Sequence, residues 1–418
     1  MADAGWGMRG LLGIAALLLL AWLFSEDRFH VPLRVVASGV LLQFALAILF
    51  IKFRPAAAAF LLLNDGVEAL QKASEAGTSF VFGYLGGGRP PFVESDPGAS
   101  FILAFRALPL VLLISALATL LFYWGILQRL VQAFAWVLQR TIGIGGPLGL
   151  GAAVHIFVGH IEGPLLIRPY LLRLQRGELF ALMSCGMAGI AGTVMVLYAT
   201  LLGPIIPNAL GNVLIASVIS TPAALAVSAL MVPFRPEPRG EARLEITDPP
   251  VSALDAVAKG TRDGVVFLAN ILAMLVVLVA LVSLCNATLA LLPSWYGAPI
   301  TLQRLFAYGF RPVMWLIGIP ANETATAATL MGTKTVLNEF VAYVDLAKLP
   351  QGALGAHSRL IMTYALCGFA NFGSLGILIG GMGAMVPERR HEIVALGLRS
   401  ILSGTIATCM SGAVVGLL

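Results

Sequence analysis

The stretch 154-VHIFVGHIEGPLLIRP-169 decides how the chain is read. It sets one carboxyl, Glu162, and two imidazoles, His155 and His160, inside a long apolar region. Gly159 precedes Glu162 and Gly163-Pro164 follows it, so a helix entering here is expected to unwind and restart. Broken backbone at membrane depth persists only where it is buried in protein or lines a wet cavity. A carboxyl at that depth is costly and marks a solute or ion pathway. The expectation is a re-entrant hairpin whose tip holds Glu162 against a transported solute. The competing reading is a polar link between two ordinary helices.

The surrounding composition supports a membrane setting. The 418 residues are 59% hydrophobic and 11% charged, against roughly 25% charged residues in a soluble domain. Apolar runs of spanning length recur between short polar joints, which predicts a helical bundle; a barrel would alternate in segments of about ten residues. Cys185, Cys285, Cys367 and Cys409 are scattered, so neither a disulfide framework nor a metal site is expected. The net charge of +5 comes from arginines at the ends of apolar runs, where they orient a protein in a bilayer. Nucleic acid is therefore not expected as a partner. HExxH, GxSxG and P-loop patterns are absent, and no enzyme is expected. The first apolar run ends in SEDRF with no small-x-small site, so it reads as a retained span.

Taken in order, the expected architecture is an all-α membrane protein with eight transmembrane helices, interfacial helices and two opposed re-entrant hairpins. The spans fall at about 10–24, 35–52, 101–124, 179–206, 210–233, 264–292, 359–382 and from about 390 to Leu418. Polar residues spaced along 54–76 and 126–142 suggest helices lying in the interface, and 77–98 reads as an irregular loop. After the hairpin at Glu162, the fourth span is weakened by GMAGIAGTVM (186–195). A second hairpin is expected over 302–345, with Glu323 in its tip ANETAT, followed by a span broken at GFANFGSLG (368–376). The arginine-rich joints place the first hairpin inside and the second outside, which makes the two units inverted repeats. The division expected is a scaffold over 1–125, a first transport repeat over 126–233, a cytoplasmic loop and scaffold span over 234–300, and a second transport repeat over 301–418.

Several side chains can carry solute chemistry. Glu162 and Glu323 can accept hydrogen bonds from hydroxyls, and Asn371 with Ser374 adds donors and acceptors three residues apart. Phe369 offers an aromatic surface, with ordinary packing as the alternative. His155 and His160 can each take up a proton near neutral pH. Lys334 and Glu339 read as structural charges.

Five stretches carry a family resemblance: GTSFVFGYL (77–85), GHIEGPLLIRPYL (159–171), AGTVM (191–195), GTKTVLNEFVAY (332–343) and GFANFGS (368–374). The chain resembles the concentrative nucleoside transporter family through nearly its whole length. The resemblance implies a homotrimer in the bacterial inner membrane whose protomers pair a scaffold with a moving transport domain, and ion-driven uptake of nucleosides. It implies that Glu323, Asn371 and Ser374 hold the ribose, with Phe369 and Val194 flanking the solute. The family's first hairpin reads Gly-Gln-Thr/Ser-Glu; here those positions are Gly159, His160, Ile161 and Glu162, so base recognition is expected to differ. Sodium-coupled members use an Asn and a Ser whose positions are His155 and Gly189 here. The carbonyls of Val158, Gly189 and Ile190 remain, but imidazole is a poor ligand for a hard cation. Proton coupling is expected ahead of sodium, with His155, Glu162 or Glu323 as carrier and no other cofactor. The alternatives are a permease for a modified nucleoside or another ribosyl compound, with sodium as the coupling ion, and a nucleoside-binding receptor.

Overall fold

The computed structural model describes residues 3–93, 101–160, 162–235, 249–294 and 297–418. The chain enters through α1 (Asp3–Leu23), α2 (Leu33–Lys52) and α3 (Arg54–Phe82). The short α4 (Leu103–Arg106) leads into α5 (Leu110–Tyr123), and amphipathic α6 (Ile126–Ile142) follows. Next come α7 (Gly146–Val154), α8 (Glu162–Leu166) and α9 (Arg168–Leu171). The broken span α10 (Arg176–Ala188) and α11 (Gly192–Leu202) precedes unbroken α12 (Ala209–Met231). Long α13 (Ala253–Leu289) connects to α14 (Leu302–Leu316), α15 (Thr324–Val336) and α16 (Glu339–Lys348). The chain closes with α17 (Ala356–Leu366), α18 (Phe372–Met385) and α19 (Arg390–Leu417).

Among the described residues, six helical tracts are long and apolar enough to cross a membrane. Two shorter apolar helices, Arg9–Leu23 and Phe372–Met385, account for the other two of the eight expected spans. One boundary moves. Residues 77–82, expected in a loop, continue α3, which ends where Gly83 takes a left-handed φ of 60°.

The two units share one order: an amphipathic helix (α6, α14), short helices interrupted by a break (α7 to α9, α15 and α16), a broken span, and an unbroken span. That order corrects the register of the second hairpin. The helix 302–316 answers to α6 and is not a hairpin arm, so Glu323 sits in the turn from α14 to α15. Gly318, at φ 108°, and Pro320 close α14 there. The break equivalent to the one before Glu162 falls at Leu337-Asn338. Asn338 has extended backbone, and its side chain accepts from the N–H of Val341, which starts a new helix. Glu339 therefore opens α16 as Glu162 opens α8.

Packing follows the same pseudo-symmetry. α8 lies against α18 and α16 against α11, so each unit's second arm rests on the other unit's second half-span. α12 and α19 meet at the centre, with α10 and α17 alongside. A polar thread crosses this core: Gln43 Nε2 donates to Ser411 Oγ at 3.0 Å, and Ser411 and Ser220 hydroxyls lie 2.8 Å apart. Such bonds join helices where lipid supplies no hydrophobic contrast. α1 packs on α19 and α2 on α12, whereas α5 pairs with α13. The apolar stretch of α13 is only 6% buried.

Candidate functional site

The two broken spans cross at their breaks. Gly368 takes φ 154°, and a Cβ there would fall 2.8 Å from the carbonyl oxygen of Met187 and 2.9 Å from that of Ala188. Glycine alone allows that approach. It lets the Phe369 N–H donate to the Gly189 carbonyl at 3.2 Å. On the first unit, the Gly192 N–H donates to the Phe157 carbonyl at 3.0 Å, tying the α10–α11 break to the turn after α7.

Beside this crossing lies a cavity of about 760 Å³. Of the expected solute-binding residues, it gathers Gly159, His160, Val194, Phe369, Asn371 and Ser374. Ile161 lies outside the described residues, as does the side chain of Glu162. Glu323 is not part of the lining; it is half-buried next to Gly355, with Oε2 unpartnered among the described residues. The reason is the register shift: Glu323 belongs to an interhelix turn, and the acid at the break is Glu339.

Glu339 was read from sequence as a structural charge, yet it lines the cavity. Its Oε1 accepts from the Tyr198 hydroxyl at 2.7 Å and its Oε2 from Asn371 Nδ2 at 2.9 Å. Asn371 also caps α18, its Oδ1 accepting from the Ser374 N–H at 2.7 Å. Tyr198, which sequence reading missed, falls four residues after Val194 on the same face of α11. Its ring lies 5.0 Å from that of Tyr343. The carboxyl is thus held by one donor from each unit and keeps acceptor capacity toward the cavity. Lys334 does remain structural. Fully buried, it donates to the Ala365 carbonyl at 2.9 Å and to Thr408 Oγ1 at 3.1 Å, binding α15 to the last turn of α17 and to α19.

The imidazoles take different places. His160 lines the cavity with its ring 4.8 Å from Phe369, and its Nε2 has no hydrogen-bond partner among the described residues. His155 is buried behind it, against Gly163 and Gly186, and its ring nitrogens have no hydrogen-bond partner among the described residues. Its carbonyl oxygen lies 3.0 Å from where a Gly189 Cβ would stand. Val158, half-buried, follows in the same turn. Among the described residues no cluster of His, Cys, Asp and Glu has the makings of a metal centre.

Known proteins resemble this chain in sequence and fold. Residues 12–85 match the family described as "Na+ dependent nucleoside transporter N-terminus", 104–205 that described as "Nucleoside recognition", and 212–416 "Na+ dependent nucleoside transporter C-terminus". An uncharacterized transporter of Haemophilus influenzae is 35% identical over 98% of this chain and 97% of its own length. The chain belongs to the concentrative nucleoside transporter family. The family is one of transporters, not enzymes, and its fold is a multi-pass, all-helical membrane fold. Human solute carrier family 28 member 3 is 33% identical over 97% of this chain, which spans 59% of that protein. Among solved structures, CNTnw in an inward-facing substrate-bound state is 33% identical and superposes with a TM-score of 0.88 over 98% of both chains. A doubly substituted CNTnw in an outward-facing state gives 0.89, over 99% of this chain and 98% of that one.

Proposed function

We propose that this chain imports nucleosides across the bacterial inner membrane by cation symport. The observation that carries the reading is the Glu339 carboxyl, oriented by Tyr198 and Asn371 and open to a cavity that also holds the His160 and Phe369 rings. A carboxyl oxygen, an amide and the Ser374 hydroxyl suit ribose hydroxyls, and the ring pair suits a flat base. In this reading Glu339 takes the role first given to Glu323.

The coupling ion is a proton. His155 stands where sodium-coupled members have a side-chain oxygen, and the unprotonated nitrogen of a neutral imidazole can take up a proton, while Gly189 offers no side chain. The backbone carbonyls near Gly189 favour sodium as the second reading, since oxygen is what a hard cation requires.

Packing also suggests which parts move. α1 and α2 lie on α19 and α12, so they travel with the two repeats, while α5 and α13 form the stationary frame. In this reading the scaffold role expected mainly over 1–125 falls to α5 and not to α1 and α2. The exposed face of α13 fits self-association as a homotrimer.

The deciding experiment is uptake of labelled uridine or adenosine into proteoliposomes, with the sodium and proton gradients set independently. Accumulation driven by the proton gradient is expected. Accumulation that needs sodium and ignores pH would refute proton coupling, and binding without accumulation would make the protein a receptor.

A further inference from the structure

The cavity wall opposite Glu339 and Asn371 is one face of α13. Asp263, Phe267, Asn270, Met274 and Leu278 all line the cavity, and their three- and four-residue steps set them in one stripe along that helix. At 1.5 Å per residue the stripe is about 22 Å long. Between Gly264 and Val282, Asn270 has the only side chain containing nitrogen or oxygen. It is exposed to the cavity and has no hydrogen-bond partner among the described residues.

An amide at hydrocarbon depth with nothing to bond is costly wherever it faces lipid or packing. Facing a hydrated cavity, it costs little and becomes available to a solute. The stripe is also polarised. Toward the C-terminus of α13 it continues as Met274 and Leu278. Two turns toward the N-terminus it ends at Asp263, whose side chain is 67% exposed. Polar character therefore rises toward the end of α13 that follows the arginine-rich joint, the side expected to face the cytoplasm.

We propose that Asn270 and Asp263 form a polar track on α13 along which the solute leaves the hairpin-side site. The Asn270 amide takes up hydrogen bonds from ribose hydroxyls or the base edge as Glu339 and Asn371 release them. The Asp263 carboxylate then accepts from hydroxyls at the mouth. Asn270 is thus a second solute station, carried by the frame and not by the moving unit. This rests on the transport reading given above.

The test compares wild type, Asn270→Leu and Asn270→Gln in proteoliposomes, measuring uridine counterflow rate and, by calorimetry in detergent, uridine Kd. Leucine is well suited to a membrane helix, so folding is expected to hold; should it fail, Asn270→Ala is read in the same way. Expected is a fall of about five- to tenfold in maximal counterflow for Asn270→Leu, the size of one hydrogen bond lost from a barrier. Kd should stay within roughly twofold because the Glu339 site is untouched, and Asn270→Gln should recover most of the rate. Three outcomes would overturn the inference: an unchanged rate, a Kd weakened as much as the rate falls, or loss of oligomeric state on size exclusion, which would make Asn270 an interface residue. If the wild type itself neither binds nor moves uridine, it is the nucleoside reading that fails. If the wild type does both and Asn270→Leu matches it, only this inference fails.

Discussion

Asn371 Nδ2 donates to Glu339 Oε2 across 2.9 Å, and so joins the first residue of α16 to the residue capping α18. Both half-helices begin at this point, with their N–H-rich ends toward the cavity. Helix N-termini carry partial positive charge and stabilise a carboxylate or an electron-rich solute group. Discontinuous helices are how transporters bring such ends to the middle of a membrane, where a continuous helix would have spent its N–H groups internally. The bond also couples the hairpin of the second unit to the broken span that crosses the first.

Substitutions at the two candidate acids separate the registers of the second hairpin. Glu339→Gln removes an acceptor from a site built by Tyr198 and Asn371, and uridine uptake is expected to be lost while the protein still elutes as wild type. Glu323→Gln lies outside the cavity lining and is expected to leave uptake within about twofold, the range of an ordinary surface change. Reversal of the two results would restore the hairpin tip at Glu323. Radiolabelled uptake in cells lacking other nucleoside carriers is the measurement.

The proposed base contact at His160 can be tested by substitution. Its imidazole lines the cavity against Phe369, and an imidazole turns one nitrogen toward a base edge where an amide offers both a donor and an acceptor. His160→Gln is expected to change the order of competition across a panel of nucleosides, by about fivefold for at least one base, the worth of one hydrogen bond. Competition by the ribose moiety alone should be unaffected.

Much of this was legible before any coordinates. The apolar spans and the broken stretches at 186–195 and 368–376 follow from apolar run length and glycine placement, which local backbone physics fixes. Asn371, Ser374, Phe369 and His160 fell into the cavity for the same reason: each sits in or beside a break. The second hairpin was misplaced because Gly318-Ile319-Pro320 is the louder sequence signal, although it only turns α14 into α15. The quieter signal was Asn338-Glu339, a helix cap followed by an acid, which marks a new helix start. Tyr198 and Asn270 gave no local sign, since their roles depend on which helices face each other across the cavity.

In the proton-coupled reading, His155 is the position at which the coupling ion would change. His155→Asn puts a side-chain oxygen where the imidazole stands, beside the Gly189 backbone. Hard cations favour oxygen donors. The variant is expected to gain sodium-stimulated uptake and to lose dependence on the proton gradient, both read in proteoliposomes. Uptake that stays proton-driven in this variant would remove His155 as the carrier.

Gly368 is a packing constraint on the crossing of the broken spans. Gly368→Ala would place its methyl 2.8 Å from the Met187 carbonyl oxygen and 2.9 Å from Thr408 Cγ2, at a φ of 154°. Overpacking of this kind costs about 1–3 kcal/mol. A fall of several degrees in melting temperature is expected, together with weaker uridine binding, because the displaced backbone carries Phe369 and Asn371.

An ion cluster at the end of the bundle gives stability a pH dependence. Glu26, in the joint between α1 and α2, bonds Arg176 at 2.9 and 3.1 Å and Arg399 at 2.9 Å. The Arg176 guanidinium holds the Glu26 carboxyl below its usual value of 4.5. A carboxyl whose folded value is depressed stabilises the fold above its unfolded value, and that contribution is lost as pH falls through the lower folded one. Both arginines are near half-exposed, so the network is worth less than about 1 kcal/mol. Glu26→Gln is therefore expected to lower the melting temperature slightly at pH 7, by an amount that vanishes as pH falls below the lowered folded value and the wild-type carboxyl becomes neutral. Melting curves of both proteins across that range test the assignment, since equal offsets at every pH would show that the carboxylate charge contributes nothing.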